Sequence, residues 1–222
     1  MAIDSTRLDS TRLRVLEVFA DVWCPFTHVG LRRVVEQRAE FARDDLVVLV
    51  RAWPLELVNR QPLSVDLVAE EIEALGEAVA PDLFAGFNRE RFPSTTLPAL
   101  ALAASAYRRD LRTGEQVSLA LRTALFEEGR DIGDPAELEA IARTFEMEPP
   151  DAEGKQAVQD DWHEGQRRGV VGSPHFFVDN HGFFCPALAI SRVGDHLRIS
   201  TDRDGFAAFL ATVFASPSQS LP

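Results

Sequence analysis

Cysteine is scarce in this chain, with two in 222 residues, Cys24 and Cys185. Two thiols cannot form a disulfide scaffold, and a metal centre needs more ligands at close spacing. Each is therefore read as an individual thiol, and no metal is expected. Cys24 lies in Asp21-Val-Trp-Cys-Pro-Phe-Thr-His28, where a β-type run meets a helical one. With Pro25 at the first helical position, Cys24 sits where unpaired N–H groups and the helix dipole favour negative charge. That placement predicts a depressed thiol pKa and a stabilised thiolate, which is the nucleophilic form. Thr27 can turn a hydroxyl back toward the sulfur. His28 is four residues on and shares the helix face. As a cation it would lower the thiol pKa further, and as a neutral ring it would serve as a base. The plainer alternatives are a small buried hydrophobe for Cys24 and a partly exposed, merely packed ring for His28.

A second cluster is Val170-Val-Gly-Ser-Pro174, just before a strand pattern. A proline entering a strand is unusual, and one in a cis peptide has to be held by its surroundings. Gly172, Ser173 and Pro174 thus join the candidate site, while His175 faces either side of its strand. Trp23, Phe26 and Trp53 read as an apolar substrate wall or, on burial preference, as core. Asn59 reads as a turn residue before Pro62. Asp160-Asp161 reads as a solvated helix face, and Asp21 is placed for proton transfer.

The elements that must carry these residues follow from periodicity. Val15 to Ala20 is a short strand, Pro25 to about Phe41 a helix, and Leu46 to Trp53 a second strand halted by Pro54. Strand, helix, strand is most easily built as a parallel crossover. From Ser64 to Arg168 the pattern is helical, with starts at Ser64 or Asp66, Leu97, Glu115, Asp134-Pro135 and Asp151. The β pattern returns at His175–Val178, turns at Asp179–Gly182 with Asn180 to Gly182 suited to positive backbone angles, and resumes as Phe183 to Cys185. A last amphipathic helix runs from Gly205 to Phe214. The expected fold class is α/β, with a βαβ half and a ββα half (15–63 and 169–215) separated by a helical insertion (64–168). The ends, 1–14 and 216–222, are expected to be loose tails.

Composition narrows the function. At 45% hydrophobic and 26% charged, the chain has the balance of a soluble globular protein. A formal net charge of −12 argues against a nucleic-acid partner, because phosphate binding needs a basic surface. No run approaches the roughly 18 apolar residues of a membrane span, and Met1 to Arg14 lacks the apolar core of a secretion signal. A cytoplasmic location with no membrane partner is the expectation.

Cys24-Pro-Phe-Thr27 after a strand, together with Ser173-Pro174 before one, resembles the thioredoxin-fold DsbA family. In that family a cis-proline loop faces the active cysteine and binds the substrate backbone. Glu128 to Pro135 resembles a connection in the branch holding FrnE-like oxidoreductases, 2-hydroxychromene-2-carboxylate isomerase and kappa-class glutathione transferases. Phe183 to Leu188 is similar to a segment of actinobacterial relatives that use mycothiol. The resemblance implies a thioredoxin-like fold in which Cys24, Thr27 and His28 are catalytic. Pro25, Phe26, Trp53, Asn59, Gly172, Ser173 and Pro174 would then bind substrate or thiol, with Asn59 at a glutathione-contacting position.

Dithiol members carry Cys-x-x-Cys, whose second cysteine resolves the mixed disulfide. Here Thr27 stands in that place, so an ordinary dithiol cycle is excluded unless Cys185 substitutes. Pairing needs Cα atoms within roughly 7 Å, which the sequence leaves open. In kappa-class relatives the corresponding hairpin lies at the far end of the thiol cofactor. The implied function is a monothiol oxidoreductase or small-thiol transferase. Glutathione or mycothiol would be its co-substrate, with an electrophile or disulfide as the second partner and a homodimer as its assembly. A thiol-dependent isomerase of the chromene-carboxylate type and a non-catalytic binding module that has lost its resolving cysteine are the alternatives.

Overall fold

The computed structural model describes residues 13–62, 64–179, 181–194 and 196–215. Most of the expected N-terminal tail, all of 216–222 and the turn residue Asn180 lie outside them. Arg14, expected in the tail, instead opens the first strand, and its guanidinium donates to the carbonyls of Thr212 and Ala215.

Strand β1 (Arg14–Ala20), helix α1 (Pro25–Glu40) and strand β2 (Leu46–Ala52) form the expected unit, with β1 and β2 parallel and Val18 opposite Val50. Valine and leucine dominate both strands, as suits strands covered on two faces. Strands β3 (His175–Val178) and β4 (His181–Phe184) return antiparallel, giving the order β2-β1-β3-β4. The left-handed turn position is Asp179, at φ 53°, while Gly182 lies within β4.

Between the halves run α2 (Leu55–Asn59), α3 (Val65–Ala78), α4 (Leu97–Arg109), α5 (Leu111–Phe126), α6 (Pro135–Thr144) and α7 (Ala152–Arg167). A carboxylate caps three of them. Asp110, Asp134 and Asp151 accept from the N–H groups of Thr113, Ala136 and Gly154 at 2.9, 2.8 and 2.6 Å. Periodicity did not reveal the short helix α2, nor the hairpin that follows β4. After β4, the strands β5 (Leu188–Val193) and β6 (His196–Thr201) form a separate antiparallel hairpin, and β6 packs against α3. Helix α8 (Arg203–Phe214) then closes on the sheet, burying Phe209 and Val213.

The helices are locked to the sheet by a chemical necessity of its edge. β2 is an edge strand, and its outward N–H groups at every second residue need acceptors. Val48 donates to Glu115 at 2.6 Å, Val50 to the Tyr107 hydroxyl at 2.9 Å, and Ala52 to Asp161 at 3.0 Å. These acceptors come from α5, α4 and α7 in turn. Asp161 is thus no solvated surface charge: it also pairs with Arg51 at 2.8 Å, while its neighbour Asp160 is exposed. A continuous apolar cluster runs from Trp23, Val29 and Ala52 into the helices through Val68, Leu102 and Phe126. The helical segment therefore shares its core with the sheet, and this fixes what it can present to Cys24.

Candidate active site

Cys24 occupies the extended position ahead of α1, with Pro25 in the first turn, and its carbonyl accepts the His28 N–H at 3.2 Å. The thiol donates to the Ser173 carbonyl at 3.1 Å. The Ser173–Pro174 peptide is cis. Ser173 Oγ lies 2.9 Å from Thr27 Oγ1 and accepts the Asp21 N–H at 3.0 Å. Segments about 150 residues apart in sequence are thus tied at one sulfur. The two linked hydroxyls carry two protons, of which one spans the pair and the other is free to turn toward a charged sulfur.

The thiol opens on a cavity of about 290 Å³, whose lining includes Phe26, Asn59, Ser173 and Cys185. Leu55, Leu67, Phe184 and Ile190 make the rest of the wall apolar, and Glu71 of α3 adds a carboxyl group. Asn59, Phe26 and Ser173 thus line one cavity with Cys24, and Asn59, read from the sequence as a turn residue, ends α2 instead. Pro174 lies beside them, on an apolar crevice shared with Phe26 and Cys185. Pro25 is buried as the helix-starting residue, and Gly172 serves the loop: a Cβ there would come within 2.7 Å of the Phe184 ring.

Three expectations are corrected. Trp53 does not line the cavity. It is 5% exposed and packs with Phe19, Val170 and Phe177 on the opposite side of the sheet from α1's core. A Cβ on Gly165 of α7 would sit 2.6 Å from its ring, so that helix lies directly on the indole. His28 is neither a partly exposed ring nor a cation beside the thiol. It is 1% exposed, its ring stacks 5.1 Å from Phe126, and Nε2 lies 3.2 Å from Glu127. Burial, with Arg122 and Arg32 nearby, holds its pKa down at about 3, so it stays neutral. His175, at 8% exposure, is likewise enclosed, and Nδ1 accepts the Val171 N–H at 3.3 Å.

The third correction concerns Cys24 itself. It is 3% exposed, and burial pushes its pKa above the ordinary thiol value; Ser173 and Thr27 pull it down and Glu71 pushes it up. Desolvation of the charged form outweighs the helix terminus and the two hydroxyls. The resting state is a thiol held by the Ser173 carbonyl.

Sequence reasoning missed two charged groups around the site and the surroundings of a third. Glu71 is raised to about 7 by burial and by Glu70. Its only signal was an acidic residue at an inward helical position. Arg122, 1% exposed, donates to the Asp21 carbonyl at 3.1 Å, and burial lowers its pKa to about 10. Asp21 was noted, but not its surroundings. It is fully buried and accepts from Leu55 N–H at 2.6 Å and the Thr96 hydroxyl at 2.8 Å, yet burial still raises it to about 6.

The DSBA-like thioredoxin domain profile matches residues 15–198, which takes in the cysteine, the cis-proline loop and all the intervening helices. The chain belongs to the DsbA-like thioredoxin family. Solved structures with this fold include a probable DsbA oxidoreductase from Streptomyces coelicolor, 19% identical with a TM-score of 0.61, covering 93% of each chain. The cytosolic disulfide reductase DsbM from Pseudomonas aeruginosa, in its structure with GSH, is 15% identical with a TM-score of 0.58, covering 89% of this chain and 98% of that one. A 2-hydroxychromene-2-carboxylate isomerase is 11% identical with a TM-score of 0.59, covering 77% of this chain and 88% of that one. No curated protein sequence matches significantly.

Proposed function

We propose that the protein is a thiol–disulfide oxidoreductase that uses Cys24 as its nucleophile and a small thiol as its co-substrate. The observation that carries this reading is the Cys24 thiol at the start of α1, held 3.1 Å from the cis-proline loop and facing a cavity of small-molecule size. The Cys24 thiolate attacks one sulfur of a disulfide, forms a mixed disulfide and releases the other half as a thiolate. A second thiol then attacks the mixed disulfide and frees Cys24. Thr27 and Ser173 supply hydroxyl donors to the sulfur when it is charged, first as nucleophile and then as leaving group. Once the sulfur is protonated again, the Ser173 carbonyl accepts its hydrogen bond and restores the resting state.

Asn59 and the Ser173 loop offer polar contacts to the co-substrate, while Phe26, Leu55 and Phe184 exclude water from the reacting sulfur. The class of thiol is glutathione-like or mycothiol-like. The structure of the fold neighbour DsbM with GSH supports a small thiol of that class as the co-substrate. The test is the alkylation rate of each cysteine against pH, resolved by peptide mass spectrometry, with and without glutathione or a mycothiol analogue. The expected result is a Cys24 titration above the ordinary thiol pKa of about 8.5, with protection or adduct formation by one of the small thiols. A Cys24 that ignores both thiols and forms no mixed disulfide with their oxidised forms overturns the proposal.

A further inference from the structure

We propose that Cys185 is the resolving thiol of Cys24, replacing the cysteine that the turn lacks at Thr27. The inference deepens the reading above and rests on Cys24 being the nucleophile. Its ground is where the fold puts the chain's two cysteines. They are 161 positions apart, and no other cysteine exists, yet both line the same cavity.

Both are attached to one dipeptide. Cys24 Sγ donates to the Ser173 carbonyl at 3.1 Å, and the Cys185 N–H donates to the Pro174 carbonyl at 3.0 Å, one step beyond the Phe184–His175 pair that ends the β3–β4 ladder. Cys185 then leaves the ladder in the left-handed region, at φ 45°, ahead of Pro186. A side chain bearing a Cβ adopts that region at a cost, and such positions concentrate where geometry serves function. The two thiols also sense each other: a charge on Cys24 raises Cys185, which burial already pushes up to about 12.

The chemistry balances without any outside oxidant beyond the substrate disulfide. Cys24 thiolate attacks RS–SR, forming Cys24–S–S–R and releasing one RS⁻. The Cys185 thiol gives its proton to the released RS⁻ and attacks Cys24 Sγ as the thiolate; the Cys24–R disulfide breaks, a second RS⁻ leaves and takes up a proton from solvent, and Cys24–Cys185 forms. The substrate gains two electrons and the cysteine pair loses two. Two equivalents of a small thiol restore the dithiol, leaving as their own disulfide.

The experiment treats the reduced full-length protein with oxidised glutathione and blocks free thiols at intervals. Intact mass, non-reducing peptide mapping and released glutathione are followed. Wild type is expected to pass through a Cys24–glutathione adduct to a Cys24–Cys185 cross-linked peptide, releasing two glutathiones per chain. Cys185→Ser is expected to stop at the adduct and release one, and Cys185→Ala gives the same readout should serine disturb folding. If wild type also stops at the adduct, with Cys185 still alkylated by the blocking reagent, the resolving role is refuted while the nucleophile stands. If no variant forms an adduct on Cys24, the proposed function fails and this inference falls with it.

Discussion

Substituting Asp21 by asparagine should flatten the acid side of the stability profile. The carboxyl group is fully buried, and its pKa rises from 3.8 in the open chain to about 6 in the folded one. Between these values the native state binds more protons than the unfolded state, so stability falls as pH rises. The loss begins near pH 4 and is complete above about pH 6. At roughly 1.4 kcal/mol per tenfold difference in proton affinity, this one group makes the protein ~3 kcal/mol less stable at pH 7 than at pH 3.5.

Asparagine reproduces the neutral acid. Its oxygen can accept the Leu55 N–H now at 2.6 Å, and its amide can donate to Thr96 Oγ1 now at 2.8 Å. Urea unfolding of wild type and Asp21→Asn at half-unit steps from pH 3.5 to 7 measures the effect. Glu71 and the other carboxyl groups contribute to both curves and cancel in the difference. That difference should shift in favour of the variant by ~3 kcal/mol across the window. Two parallel curves would refute the reasoning, because they would mean that the buried carboxyl is compensated in the folded state.

Ser173→Ala removes the acceptor of the Asp21 N–H and the partner of Thr27 Oγ1. We expect about 2 kcal/mol or more of destabilisation in urea and a further rise in the Cys24 pKa, read by alkylation against pH. Glu71→Gln removes a carboxylate that raises Cys24. Alkylation of Cys24 should quicken about two- to fivefold above pH 7, where Glu71 is charged, and little below pH 6; an unchanged profile would show that the carboxyl does not act on the sulfur. In Thr27→Cys the new thiol stands three residues from Cys24 across one helical turn, inside the roughly 7 Å that a disulfide spans. Mild oxidation should cross-link Cys24 to the introduced thiol, as read by non-reducing peptide mapping, and a folded variant without that bond would count against the assigned site.

Much of this was legible in one dimension because it is local. Pro25 behind Cys24, the capping aspartates at 134 and 151, and the valine-rich runs at 15–20 and 46–52 act within a few residues of themselves, whereas α5 starts at Leu111 behind Asp110, four residues before the expected Glu115. Their elements stand close to where periodicity placed them. The β5–β6 hairpin was not legible: its strands are largely exposed, and their apolar alternation is too sparse to separate from loop. The pairing of Cys24 with the Ser173–Pro174 loop came through a family pattern, since no local rule joins positions 150 residues apart.

What only the tertiary structure decided is the environment of each group. A histidine four residues from a cysteine looks like its partner on a helical wheel, but α5 closes over His28 and buries it against Phe126, and burial favours the neutral ring. The helix terminus favours a Cys24 thiolate, but enclosure by the cis-proline loop and α3 desolvates the sulfur and reverses the sign of its shift. Glu71 became a neighbour of the thiol because α3 folds across the cavity, and Cys185 because the β3–β4 ladder delivers it beside Pro174. Residue types and short spacings set which chemistry the chain carries. Water exclusion and charge proximity set its protonation and its partners, and both depend on which distant segments pack together.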